Sequence, residues 1–216
     1  MPSCRDGFRI RSVLRSTLGF FAPLVLAIVA PLAAAADESP GFWGRMALSL
    51  ESTMPIQIAS PESRSEGFWK GTWDGTKRIW NEGSRDLYVS GYVWHSPYTF
   101  PAEKRERFNN YAWGLGYGRT LTDERNNQRM FYGIVASDSY NHTMAMAGYA
   151  WLARWQTNEA RLGAGYSLLI LYHQSTLAVP FPVVAPIVSL GGDTVAFYGT
   201  YIHGMAYFFA KVSVDK

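Results

Sequence analysis

Charge is scarce in this chain. Only 17% of its 216 residues are charged, where an ordinary soluble domain carries roughly a quarter. Cysteine occurs once, at Cys4, ahead of an apolar run, so the rest of the chain has neither disulfide nor thiol chemistry. Beyond residue 36 no apolar stretch reaches the roughly 18 residues that a membrane-spanning helix needs. A surplus of basic charge is missing too. Residues 1–36 hold four Arg and one Asp, a net +3, which equals the formal +3 of the whole chain and leaves zero for the remainder. The pI of about 9.0 therefore gives no argument for a nucleic-acid partner, and none is expected. The four histidines, His95, His142, His173 and His203, show no metal-ligand spacing, so neither a metal nor another cofactor is expected.

What is present divides the chain. Arg5, Arg9, Arg11 and Arg15 precede the apolar run Leu18–Leu32, and Ala33–Ala36 offers two A-x-A cleavage sites. Residues 1–36 thus read as a secretory signal peptide. Residues 37–65, rich in Ser, Pro and Met and without a sustained period, read as a linker or poorly ordered arm. Over 66–83 a helical period appears: Trp69, Trp73, Thr76 and Trp80 recur at steps of four, three and four, with Lys70, Asp74, Lys77, Arg78 and Asn81 opposite. An aromatic stripe backed by charge predicts an amphipathic helix lying in a membrane interface. Gly71 and Gly75 count against it by about 1 kcal/mol each.

From 84 to 216 the period is two. In Asn110–Leu121, Tyr111, Trp113, Leu115 and Tyr117 alternate with Ala112, Gly114, Gly116 and Gly118. The other segments are Leu87–His95, Arg129–Ser137, Met144–Trp155, Arg161–Tyr172, Phe181–Leu190, Thr194–His203 and Tyr207–Val214. Each has about ten residues, the length of a tilted transmembrane strand. The expected fold is all-β, an eight-stranded antiparallel transmembrane β-barrel preceded by the amphipathic helix. The short polar links at 122–128, 156–160 and 191–193 belong on the periplasmic side and the longer ones outside. Large residues on one face and Gly or Ala on the other predict a hollow interior, which in water would be a defect and in an enzyme of lipids would be a slot for an acyl chain.

The segments LYVSGYVWHSPYTF, FNNYAWGLGYG, SDSYN, MAGYAW, PFPVVAPIVSLG and TYIHG resemble, in order and spacing, the outer-membrane lipid A palmitoyltransferases over about residues 66–216. The resemblance implies an acyltransferase of the cell outer membrane that moves a palmitoyl chain from a phospholipid donor to a lipid A acceptor, its active site facing the exterior. Carried over by position, the family's catalytic His and Asp-Ser pair are His95, Asp138 and Ser139. Ser139 enters either as an acylated nucleophile or as a hydrogen-bonding group. His142 and His173 become loop residues near lipid A phosphates, and His203 stands where the family has a proline. The family's pocket floor, a Gly, is Ala150 here. Pro180, Pro182 and Pro186 match its lateral lipid opening between the sixth and seventh strands, since Pro cannot donate to a ladder. Prolines flanking a second opening are replaced by Ser90 and Ala112, which puts that opening in doubt or has it built differently.

Two other functions suit a small barrel. A lipid A deacylase would place its His and Ser on a late strand, where no such pair stands out. A non-enzymatic barrel would fill its interior with interlocking polar side chains, whereas the inner face here reads as Gly, Ala and apolar.

Overall fold

The computed structural model describes residues 52–156, 160–174 and 179–215. The expected signal peptide and residues 37–51 of the expected arm lie outside the described residues. Eight strands, β1 Ser84–His95, β2 Gly114–Thr122, β3 Gln128–Ser137, β4 Thr143–Gln156, β5 Arg161–His173, β6 Phe181–Gly191, β7 Val195–Ile202 and β8 Met205–Ser213, run in sequence order around a closed antiparallel barrel. Ser84 and Ser213 bring the two ends of the barrel chain together at what is called here the near end, where the Val214 N–H donates to the Arg85 carbonyl. His95 finishes β1 at the far end. No helix among the described residues is long and apolar enough to cross a membrane.

The predicted strands agree with the observed ones to within a few residues, and the largest differences have local causes. β2 starts at Gly114, not Asn110, because β1 bulges between Ser90 and Tyr92 and the β1–β2 ladder ends at Ser90↔Gly114. β7 stops at Ile202, because His203 and Gly204 take φ of 47° and 85° and form a two-residue hairpin turn. His203 is therefore a turn residue and not part of a strand.

Period two gives the barrel its two faces. Leu87, Val89, Trp113, Leu115, Ile170, Val188 and Phe197 are exposed on the outside, a surface that only hydrocarbon covers favourably. Inside, the space beside the β2 glycines is packed where a hollow was expected. The β2 glycines let neighbours approach closely: a Cβ on Gly118 would lie 2.9 Å from the Tyr88 ring, and one on Gly116 2.6 Å from Ile134 Cγ1. Bare backbone on β2 is thus filled by side chains from β1 and β3.

The interior changes character along the axis. Toward the far end it is lined by Val93, Ile134, Met144, Met146, Leu169 and Leu171. At mid-height Tyr88, Tyr132, Tyr198 and Phe209 pack ring against ring, with Tyr198 and Phe209 stacked at 5.2 Å and 6°. Toward the near end it is polar. Lys211 Nζ lies 3.7 Å from Asp86 Oδ1, the Ser213 hydroxyl donates to Asp86 at 2.5 Å, and the Tyr198 hydroxyl donates to Gln128 at 2.9 Å. The inner face is therefore not Gly, Ala and apolar throughout, since each buried near-end charge needs an ionic or hydrogen-bonding partner.

Before the barrel come a 3-10 turn Pro55–Ile58, a one-turn helix α1 Pro61–Ser65, and helix α2 Phe68–Glu82. Trp69 (83% exposed), Trp73 and Trp80 face outward. Gly71, Gly75 and Ile79, one turn apart, form a third, buried face that neither the aromatic stripe nor the charged one announces. Ile79 packs with Ile58 and Tyr149 on the outside of the barrel. A Cβ on Gly71 would stand 2.6 Å from Ile56 Cγ1, and one on Gly75 would run into the Pro55 carbonyl. The two glycines that lower helix propensity are what admit the Pro55–Ile58 turn. Side chains fasten it: Arg78 donates to the Ile58 carbonyl at 3.0 Å, and Arg129 donates to Met54 O at 2.9 Å and to the Tyr149 hydroxyl at 3.1 Å. Ser63 and Lys70 both donate to Asp74, and these bonds, Lys70's first, hold its carboxyl down at about 2.

Gly75→Ala separates propensity from packing. Propensity alone predicts a gain of about 1 kcal/mol. Overpacking against the Pro55 carbonyl predicts a loss of about 1–3 kcal/mol. Thermal unfolding in detergent is expected to show a lower midpoint. A raised midpoint would mean that the turn does not sit in the glycine groove.

Candidate active site

The far end collects the predicted catalytic residues from three stretches of chain. His95 is the last residue of β1. After it the chain folds through a one-turn helix, α3 Ala102–Arg105, and returns to the rim. There the Asn110 carbonyl accepts the Val93 N–H at 2.9 Å, and the Asn109 N–H donates to the Ser139 carbonyl at 2.8 Å. Two adjacent asparagines thus tie β1 to the β3–β4 connection. That connection is a tight turn written in SDSYN. The Asp138 carboxylate accepts the N–H of Tyr140 and of His142, each at 2.8 Å, and Asn141 takes the left-handed conformation at φ 63°. Ser139, held inside the turn, is presented to His95.

The contact is direct. His95 Nε2 lies 2.7 Å from Ser139 Oγ, and His95 Nδ1 lies 2.9 Å from Asn110 Oδ1. The imidazole is stacked on Phe108 at 4.3 Å and met edge-on by Phe100 at 5.8 Å. His95, Asp138 and Ser139 are all buried. Asp138 sits beside Ser139 with its carboxylate toward the turn and His173, whose Nδ1 is 3.5 Å away. His173 is buried next to this carboxylate, whereas His142, at 3.9 Å, keeps half its side chain exposed. Asn110 is the residue missed by sequence reasoning. Its only signal is a polar side chain at the start of an otherwise glycine- and aromatic-filled strand pattern. An open cavity of about 330 Å³ lined by Trp94, His95, Ala102, Arg105, Glu106 and Asn110 lies beside the imidazole.

The remaining predicted residues fall elsewhere. Ala150 is fully buried in the barrel interior with Met130 and Leu152, while Tyr149 belongs to the cluster beneath α2. Across from Ala150 on β5 is Ser167, whose hydroxyl is 2.8 Å from the Tyr132 hydroxyl. Pro180 precedes β6, and Pro182 and Pro186 lie within it with exposed rings. The β6–β7 ladder runs only from Gly191↔Ala196 to Ile187↔Thr200, so the far-end part of β6 pairs with β5 alone. Pro186 turns its carbonyl to β7, where it accepts the Thr200 hydroxyl at 2.9 Å. By period two Pro182 faces the same way, and neither offers an N–H to that edge. At the matching point between β1 and β2 the ladder also stops, and the Ser90 hydroxyl donates to the Ala112 carbonyl at 2.8 Å. A side-chain bond thus stands where the ladder ends.

A histidine facing a serine hydroxyl at 2.7 Å, oriented through its other nitrogen, is an arrangement for moving a proton on and off oxygen. Among the described residues no cluster of three or more His, Cys, Asp or Glu is placed to hold a metal ion.

Residues 76–208 match the family described as Antimicrobial peptide resistance and lipid A acylation protein PagP. A relative from Legionella pneumophila, a lipid A acyltransferase PagP, is 36% identical over 163 residues, 72% of this chain and 88% of its own length. The protein of the same name from Laribacter hongkongensis is 31% identical over 69% of this chain and 73% of its own. That from Bordetella pertussis (strain Tohama I) is 34% identical over 62% and 75%. With the fold and the matched length together, the chain belongs to the PagP family of lipid A acylation proteins.

Proposed function

We propose that this protein is a lipid A acyltransferase of the outer membrane, taking a palmitoyl chain from a glycerophospholipid and placing it on lipid A in the outer leaflet. The observation that carries the reading is the 2.7 Å contact between His95 Nε2 and Ser139 Oγ at the far end of the barrel. Family membership and the lipid acyltransferase names of its relatives support the same reaction. A closed barrel with an apolar outer surface supports the location. With the far end facing the exterior, the site lies level with the leaflet that holds lipid A.

His95, Asp138 and Ser139 are the catalytic residues of this proposal. As a hydroxyl oxygen attacks the donor ester carbonyl, its proton passes to His95 Nε2. The tetrahedral adduct collapses, the bond to the glycerol oxygen breaks, and His95 returns the proton to that oxygen, releasing lysophospholipid. The balance is the same whether the attacking hydroxyl belongs to Ser139, in two rounds, or to lipid A, in one. Asp138 holds the turn that presents Ser139 through its bonds to the N–H groups of Tyr140 and His142. The acyl chain of the donor enters between β6 and β7, where Pro180, Pro182 and Pro186 mark the edge without ladder bonds. It lies among the apolar side chains of the far half, with Ala150 at the floor.

The test is transfer in detergent with phosphatidylcholine labelled in its palmitoyl chain. Label is expected to appear on lipid A, with lysophosphatidylcholine formed in equal amount. Label appearing only as free palmitate would make the protein a hydrolase.

A further inference from the structure

We propose that Asn110 is the positioning residue of this site: its side-chain carbonyl fixes the His95 tautomer in which Nε2 can take a proton from a hydroxyl. The inference rests on the acyltransfer reading above and adds a residue to it.

An amide oxygen only accepts hydrogen bonds. The 2.9 Å contact between Asn110 Oδ1 and His95 Nδ1 therefore requires the proton on Nδ1. A neutral imidazole has one N–H, so Nε2 keeps its lone pair, and that lone pair points at Ser139 Oγ, 2.7 Å away. Were the amide reversed, its NH2 would donate to Nδ1, the ring proton would sit on Nε2, and the base would face Ser139 already protonated. The two arrangements thus differ by one observable proton.

The surroundings hold the geometry. Asn110's own backbone is pinned to β1 through Val93, and the ring it meets is stacked on Phe108. Once Nε2 accepts the hydroxyl proton, both N–H groups of the imidazolium are used: Nδ1–H on Asn110 and Nε2–H toward the leaving oxygen. No carboxylate is needed at Nδ1, which leaves Asp138 for the turn and for His173.

The experiment reads the ring directly, by nitrogen NMR of histidine-labelled protein in detergent micelles. Wild type is expected to show His95 with a protonated Nδ1 and an unprotonated Nε2. A wild-type spectrum with the proton on Nε2 overturns the proposal, and it needs no variant to fold and no substrate. Asn110→Leu removes the acceptor at similar volume and is expected to move the ring toward the Nε2–H tautomer. It should lower kcat by about 100-fold while the donor KM stays within about twofold. Asn110→Asp restores an acceptor at the same place and is expected to recover most of that loss. An Asn110→Leu barrel with unchanged tautomer and unchanged kcat also overturns it. Failure of the acyltransfer reading itself is recognised separately, by wild-type protein that places no labelled palmitate on lipid A.

Discussion

Alanine at His95 or at Ser139 is expected to cut palmitate transfer by about 10²- to 10⁴-fold while the barrel stays folded. The two side chains form one unit through the 2.7 Å contact, so the double variant should lose little more than either single one. Neither belongs to the apolar cluster inside the barrel nor to the near-end network, so the fold has other supports. Asp138→Ala is expected to be as inactive, for a different reason. It leaves the N–H groups of Tyr140 and His142 without their acceptor, at about 1–3 kcal/mol each, and loosens the turn that carries Ser139. Asp138→Asn keeps an acceptor and should recover part of the rate. The check is product mass after transfer, with heat-modifiable migration on gels as the measure of folding. Full activity in His95→Ala or Ser139→Ala would remove the site from the far end.

Much of this was legible because a barrel strand writes its two faces into alternate residues. The run from Tyr111 to Leu121 declares an inside and an outside, and all eight segments appear with their turns. What period two does not report is how the inside is filled. Gly116 and Gly118 read as empty space, and only the register with β1 and β3 shows Tyr88 and Ile134 occupying it. The same blindness hid the third face of α2. A glycine at every fourth position lowers helix propensity, and its use becomes visible only when a neighbouring turn is seen pressed against it. His95, Asp138 and Ser139 were found through family resemblance, since a lone His and an Asp-Ser pair carry no periodic signal. Asn110 had no such guide, and its contact with His95 depends on the chain doubling back through α3.

Changing the floor of the acyl slot is expected to change which chain is transferred. Ala150 is fully buried, in the barrel interior, at the level where the Ser167 and Tyr132 hydroxyls meet at 2.8 Å from the strands on either side. A chain too long for the slot must leave methylenes unburied or hold its carbonyl away from His95. Each buried methylene is worth about 0.8 kcal/mol, a factor of about four in binding. Ala150→Met adds a flexible apolar side chain to that level and should shift the product from palmitate to shorter acids by a few methylenes. Ala150→Gly removes one methyl and should admit an equal or slightly longer chain. Competition among phosphatidylcholines of mixed chain length, read by product mass, decides the matter. An active Ala150→Met enzyme with an unchanged profile would put the floor elsewhere, with the ring layer of Tyr88, Tyr132 and Phe209 next to be tested.

The central claim, acyl transfer to lipid A, is tested most directly by mass spectrometry of lipid A from cells with and without this protein. Cells that make it are expected to contain a lipid A heavier by one palmitoyl group, absent when the gene is deleted and absent again when only His95→Ala is supplied. Lipid A of identical mass in both strains, or lighter by an acyl chain when the protein is present, would contradict the account.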